Sequence, residues 1–153
     1  MKAVTTHKSH KIARLLPKDS DCMWPLHYIG YFRCFDQGLY YEAHDVLEEL
    51  WLGCKNQQPY LFLKGLIQLA GAFVHIQKNR PAPAARLYEL AWKNLNPYRP
   101  IYWGLDLQLL QDTLLPYHQL LIEKTQQPLT VLGAPLITSC LCPSPKNPQL
   151  HQG

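Results

Sequence analysis

The sequence predicts an all-α fold, a compact antiparallel bundle of about five helices with flexible N- and C-terminal tails. Three observations predict it. Apolar residues recur at helical spacing through most of residues 26–124. No segment shows the period-2 alternation of a half-buried strand. The breaks between periodic segments are short and marked by Gly, Pro or Asn, so successive helices fold back as antiparallel neighbours. With 153 residues, 47% hydrophobic and 17% charged, the chain has room for one real core.

The elements follow in order. Residues 1–25 read as a basic arm with little periodicity, ending at Trp24-Pro25, where the proline disfavours helix in the residue before it. Residues 26–124 read as the helical domain. A first helix begins near Leu26, with Leu26, Ile29, Gly30, Arg33 and Cys34 at helical spacing, and Gly38 is its stop. A second runs about 39–53. Leu39, Tyr40, Ala43, Leu47, Leu50 and Trp51 fill its core arc, and Glu42, Asp45 and Glu49 its solvent side. Gly53 and the Asn56–Pro59 segment end it. A third, about 60–78, is apolar nearly all round, the mark of a central helix, with one polar stripe of Lys64, Gln68, His75 and Lys78. A fourth, about 82–95, opens with Pro81 and Pro83 in its first turn, where a missing backbone donor has no partner to lose. Residues 96–104 hold two prolines and read as a loop packed by its own aromatics. A fifth helix, about 105–124, is leucine-rich and should kink or split at Pro116. Residues 125–153, with five prolines, read as a flexible tail.

Charge and cysteine content exclude several classes. The net charge of +4 comes from the arm: residues 1–18 carry five Lys/Arg and no acid, whereas residues 19–127 carry nine Lys/Arg against eleven Asp/Glu. The folded part therefore lacks the basic balance of a nucleic-acid binder. Five cysteines, with no Cys-x-x-Cys pair, argue against a zinc knuckle or a thioredoxin-type motif and fit a reducing cytoplasm. No apolar run reaches the length of a membrane span, and the start lacks the apolar core of a secretory signal. Its basic, acid-free composition leaves an organellar stroma as the minor alternative.

The candidate site lies on the second and third helices. His44 and Glu48 stand one turn apart at the edge of the core arc, between aromatic side chains. Gln68 and His75, seven residues apart, share one face of the next helix. Imidazoles and a carboxylate suit a divalent metal, with His44, Glu48 and His75 as ligands. They equally suit acid–base work, with His44 and Glu48 as the catalytic pair. Tyr40, Glu42, Trp51, Gln68 and His75 complete the set as ligand-binding residues. The bland alternative is that these polar groups satisfy one another at the margin of a core. The His-x-x-x-Glu spacing matches neither the His-Glu-x-x-His of zinc proteases nor the Glu-x-x-His of di-iron bundles. His27 and His118 have no partner visible in sequence.

Two stretches carry a resemblance. The run from Phe35 to Trp51, containing Tyr40-Tyr41-Glu42-Ala43-His44 and then Glu48 and Trp51, resembles the signature of domain-of-unknown-function family 309. Gly65-Leu66-Ile67-Gln68-Leu69-Ala70-Gly71-Ala72, followed by His75, resembles its second motif, and Ala84-Ala85-Arg86-Leu87 and Gly104-Leu105-Asp106 fit the remainder. The chain departs from that pattern at Asp45, where the family has Glu, and at Lys78-Asn79, where it has Gly-Asn. The resemblance implies a small all-helical protein and a shared site at Glu42, His44, Glu48, Trp51, Gln68 and His75; it names no chemistry. Two functions remain. One is a His/Glu pocket that binds or hydrolyses a ligand. The other is a non-enzymatic helical interaction module, docking a protein partner or forming a homodimer.

Overall fold

A computed structural model of the chain describes residues 7–17, 24–124 and 126–142. The fold is all-α apart from one small hairpin. Six helices run in order: α1 (His7–Leu15), α2 (Leu26–Asp36), α3 (Tyr40–Leu52), α4 (Tyr60–Gln77), α5 (Pro81–Leu95) and α6 (Leu107–Glu123). From α2 to α5, neighbours in sequence pack antiparallel, as contacts between opposite ends show. His27 at the start of α2 meets Glu49 at the end of α3. Trp51 at the end of α3 stacks on Tyr60 at the start of α4. Gln68 in α4 meets Asn94 near the end of α5. Among the described residues, no helix is long and apolar enough to cross a membrane.

α4 is the centre of the bundle, as its all-round apolarity predicts. It buries Phe62, Leu63, Leu66, Leu69, Ala70 and Phe73 among others, and packs on both α3 and α5. Gly65 lets α5 approach closely: a Cβ there would lie 2.8 Å from Leu95 Cγ and 3.0 Å from the Ala91 carbonyl oxygen. Aromatic rings fill the interface of α2 with α3 and α4, with Phe35 edge-on to both Tyr40 and Phe73. Tyr31, fully buried, donates its hydroxyl to the Leu66 carbonyl at 2.7 Å, so this polar atom is satisfied inside the core.

Both sharp turns near the site are glycine- or asparagine-capped. α2 ends with Gly38 at φ 75°, where the Leu39 N–H reaches the Cys34 carbonyl and the Gly38 N–H reaches that of Phe35. This is the Schellman arrangement, and Gly38 takes its left-handed position at least steric cost. α4 ends the same way with Asn79 at φ 54°, the Arg80 N–H bonding to the His75 carbonyl and the Asn79 N–H to that of Ile76.

Four sequence expectations change. Residues 7–15 of the presumed arm form α1. Its Ile12 is buried, and its Leu15 and the following Leu16 pack over Gly30, whose missing side chain makes the room. One short helix carries too little periodicity to stand out in sequence. The expected loop at 96–104 contains a strand: β1 (Ile101–Tyr102) pairs antiparallel with β2 (Leu105–Asp106) around Trp103-Gly104. Both turn residues have positive φ, 47° and 71°, the geometry of a type I′ hairpin. The last helix begins at Leu107, with the Asp106 carboxylate capping the Leu109 N–H at 3.0 Å, and it runs through Pro116 unbroken.

The fourth change is the tail. Residues 126–142 dock on the bundle. Leu129, Ile137 and Cys140 are buried, and the segment is tied at several points. The Asp36 carboxylate accepts from the N–H groups of Ile137 and Thr138. The Asn79 side chain accepts from the Leu129 N–H at 3.0 Å. The Cys142 N–H donates to the Gly104 carbonyl at 2.7 Å, beside a bridge between Leu105 and Leu141. Prolines withhold backbone donors but do not prevent docking. Residues 1–6, 18–23, 125 and 143–153 of the expected arm and tail lie outside the described residues.

Candidate functional site

The start of α3 and the end of α4 together enclose a pocket of about 310 Å³ lined by Tyr41, His44, Asp45, Gly71, Val74, His75, Lys78 and Arg80. The two capped turns place these groups. The Gly38 turn leaves only three residues between α2 and α3, so Tyr41, His44 and Asp45 fall in the first two turns of α3. The Gln77 side chain donates to the Gly38 carbonyl at 2.7 Å and fixes the end of α4 beside that turn. The Asn79 turn then folds Arg80 back toward His75.

His44 is half-buried. Its Nδ1 lies 3.3 Å from Asp45 Oδ1, and its Nε2 lies 3.9 Å from Glu48 Oε2, an ion-pair distance rather than a hydrogen bond. His75 comes from the last turn of α4. Its Nδ1 is buried and makes no hydrogen bond among the described residues. Burial lowers its pKa from the ordinary 6.5, and the positive charges of Arg80, Lys78 and Arg86 lower it further. The imidazole is therefore neutral near pH 7. Lys78 closes one side of the pocket, donating to the Tyr41 hydroxyl at 2.6 Å with its ammonium 4.9 Å from the centre of that ring.

The structure brings His44 and His75 to the same pocket, with Glu48 beside His44. The other residues singled out in sequence lie elsewhere. Gln68 turns to α5, where its Oε1 accepts from Asn94 Nδ2 at 2.7 Å. A shared helix face does not give a shared place: seven residues of helix separate Gln68 from His75 by about 10 Å along the axis. Tyr40 is buried in the core between Phe35 and Phe73. Trp51 stacks on Tyr60, ring centres 5.0 Å apart. Glu42 pairs with Lys11 of α1 at 3.6 Å, so part of the expected solvent side of α3 is covered. Among the described residues, no group of three or more His, Cys, Asp or Glu side chains is placed to hold a metal ion, so His44, Glu48 and His75 do not form a ligand set as they stand.

Sequence reasoning assigned no pocket role to Tyr41, Asp45, Lys78 and Arg80. Tyr41 and Lys78 each lie three residues from a pocket histidine, on the same helical face, and that spacing is the signal that could have found them. His27, without a visible partner in sequence, stands 3.1 Å from Glu49. His118 stacks on Tyr88, ring centres 4.5 Å apart.

Every residue lining the pocket falls in one stretch that matches a known family model. The match is to DUF309, a domain of unknown function, over residues 28–87. The match supports the resemblance to that family over these residues. The DUF309 stretch runs from α2 into α5 and holds both capped turns, whereas Gly104-Leu105-Asp106 and the C-terminal segment lie beyond it. No match was found among curated proteins or among solved structures.

Proposed function

We propose that the pocket between α3 and α4 is a small-molecule binding site read by His44 and His75. The observation that supports this most directly is that two imidazoles, from helices joined antiparallel, line one cavity of about 310 Å³ together with Tyr41 and Lys78. A few polar groups converging on a concave, partly apolar wall is the usual make-up of a ligand site, and this volume lies at the small end of that class. His75, neutral near pH 7, can accept a proton, so the same pocket suits general-base hydrolysis of what it binds.

The test is a fragment screen by ligand-observed NMR, followed by titration of hits while the ring signals of His44 and His75 are watched. Saturable movement of both rings, abolished in His44→Ala and His75→Ala, supports the reading. Hits that bind with neither ring moving, or equally well to the two variants, overturn it.

A further inference from the structure

The pocket's charge goes further than its shape. Lys78 and Arg80 line it, Arg86 stands near enough to act on His75, and among the described residues Asp45 is its one carboxylate. Asp45 already faces the His44 ring at 3.3 Å. Among the described residues, no carboxylate lies within ion-pair distance of Lys78, Arg80 or Arg86. Cations are also drawn to the negative end of a helix, and α4 ends here. That attraction accounts for basic residues near the last turn. It does not account for their placement on the wall of a cavity beside an imidazole whose pKa burial, and then these charges, lower, with the Lys78 ammonium fixed by a phenol hydroxyl.

We propose that this pocket selects a small anion, a carboxylate or a phosphate ester, held at its lip by Lys78 and Arg80, with Tyr41, His44 and His75 as hydrogen-bonding groups within. The proposal rests on the reading of the pocket as a ligand site. Arg80 offers the planar donor fork that fits a carboxylate or phosphate, and Lys78 a point charge. His75 makes the binding pH-dependent. The groups that share its surroundings are Tyr41, His44 and Asp45 from α3, Lys78 and Arg80 from the turn after α4, and Arg86 from α5; of these, the three cations act on its charge. An anion seated among them offsets the cations and restores proton affinity to His75. Binding then takes up a proton, so affinity for a carboxylate, whose own charge is constant there, rises as pH falls below about 7.

The experiment titrates the full chain with four probes of similar size: phenyl phosphate, benzoate, benzyl alcohol and benzylamine. The His44 and His75 ring signals are followed by heteronuclear NMR at low and high salt. The two anions are expected to shift both rings saturably. Affinity should fall on the order of tenfold in Lys78→Gln and in Arg80→Gln. It should weaken at high salt and stay unchanged in Lys93→Gln, an exposed cation on α5. Lys78 and Arg80 are exposed, so both variants should keep the wild-type amide spectrum, which is recorded as the check on folding. If benzyl alcohol or benzylamine shifts the rings as strongly as the anions, the choice of an anion is wrong while the pocket remains a ligand site. If no probe shifts them while the fragment screen finds other ligands there, the anion proposal again falls alone. If neither experiment moves the rings, both readings fall together.

Discussion

The carboxylate of Asp36, at the last residue of α2, accepts the backbone N–H of Ile137 at 2.6 Å across a sequence separation of 101 residues. The Thr138 N–H bonds to the same carboxylate at 3.2 Å. Both amides belong to a segment that crosses the bundle after α6, and Ile137 is fully buried beside this contact.

Removing the acceptor should loosen that segment. Asp36→Ala is expected to lose about 1–3 kcal/mol of stability, the usual cost of orphaning donors bonded to a charged group. Urea unfolding measures the loss. Hydrogen exchange at the Ile137 and Thr138 amides should quicken in the variant, while exchange in the middle of α4 keeps its pattern. Equal protection at those two amides would mean that burial of Ile137 alone seats the segment.

Two glycines should respond oppositely to the same substitution. At Gly65 the added Cβ would meet Leu95 Cγ at 2.8 Å and the Ala91 oxygen at 3.0 Å, and a backbone atom cannot step aside cheaply. Gly65→Ala gains about 1 kcal/mol in helix propensity but incurs about 1–3 kcal/mol of overpacking, so a net loss is expected. Gly53 has φ −83°, and a Cβ there meets nothing closer than 3.5 Å. Gly53→Ala is expected to be neutral or to stabilise by a few tenths of a kcal/mol. Parallel thermal melts of the two variants decide the comparison.

The turn between α2 and α3 needs its left-handed residue. Gly38→Ala has ordinary space around the new methyl, 3.6 Å and beyond, so its cost is conformational: about 1–2 kcal/mol for an L-residue held at φ 75°. Gly38→Asn should lose less, because asparagine tolerates this region better. Because Gly38 also receives the Gln77 side chain, the loss should appear as reduced protection at both ends of α3–α4 contact.

His75 gives the stability a definite slope with pH. Its folded pKa lies below the unfolded value near 6.5, so the unfolded chain binds the proton more readily. Stability is therefore fully present above 6.5 and declines as pH falls through the interval down to the lowered folded value, below which this contribution is constant. His75→Gln should flatten that part of the profile, as measured by denaturant midpoints between pH 5 and 8. In the native protein the His75 ring should titrate below the ordinary range, and Lys78→Gln should move its midpoint upward.

Thiol chemistry should pick out one position. Cys34 is buried, and burial pushes its pKa up to about 11; burial raises Cys54 and Cys140 as well. Cys142 is exposed. Among these four, native-state maleimide labelling read by peptide mass spectrometry should find Cys142 first and the other three only after denaturant is added.

Five of the six helices were legible in the sequence because each satisfies a local rule. The all-round apolarity of residues 60–77 marked the central helix, and Gly38 marked a stop that needs positive φ. What stayed hidden depends on distant partners. α1 is held by Gly30 and Glu42, and the segment after α6 by Asp36 and Asn79; nothing near those segments announces it. For the pocket, periodicity identified the right face of α4 but not the axial position. It therefore grouped Gln68 with His75, although Gln68 serves α5. Lys78 was read only as part of the polar stripe of α4, because a helix end rich in cations looks like an ordinary solvated cap until the fold sets it and Arg80 against α3.

The hairpin turn has one more consequence. Trp103 at its tip stacks on Trp24, ring centres 6.1 Å apart and planes within 22° of each other, and Tyr28 donates its hydroxyl to the Trp103 carbonyl. Two indoles that close couple their electronic transitions, so this pair is a built-in optical reporter. Its near-ultraviolet circular dichroism should register the docking of the segment before α2 on the hairpin, separately from the melting of the helices, without any label being attached.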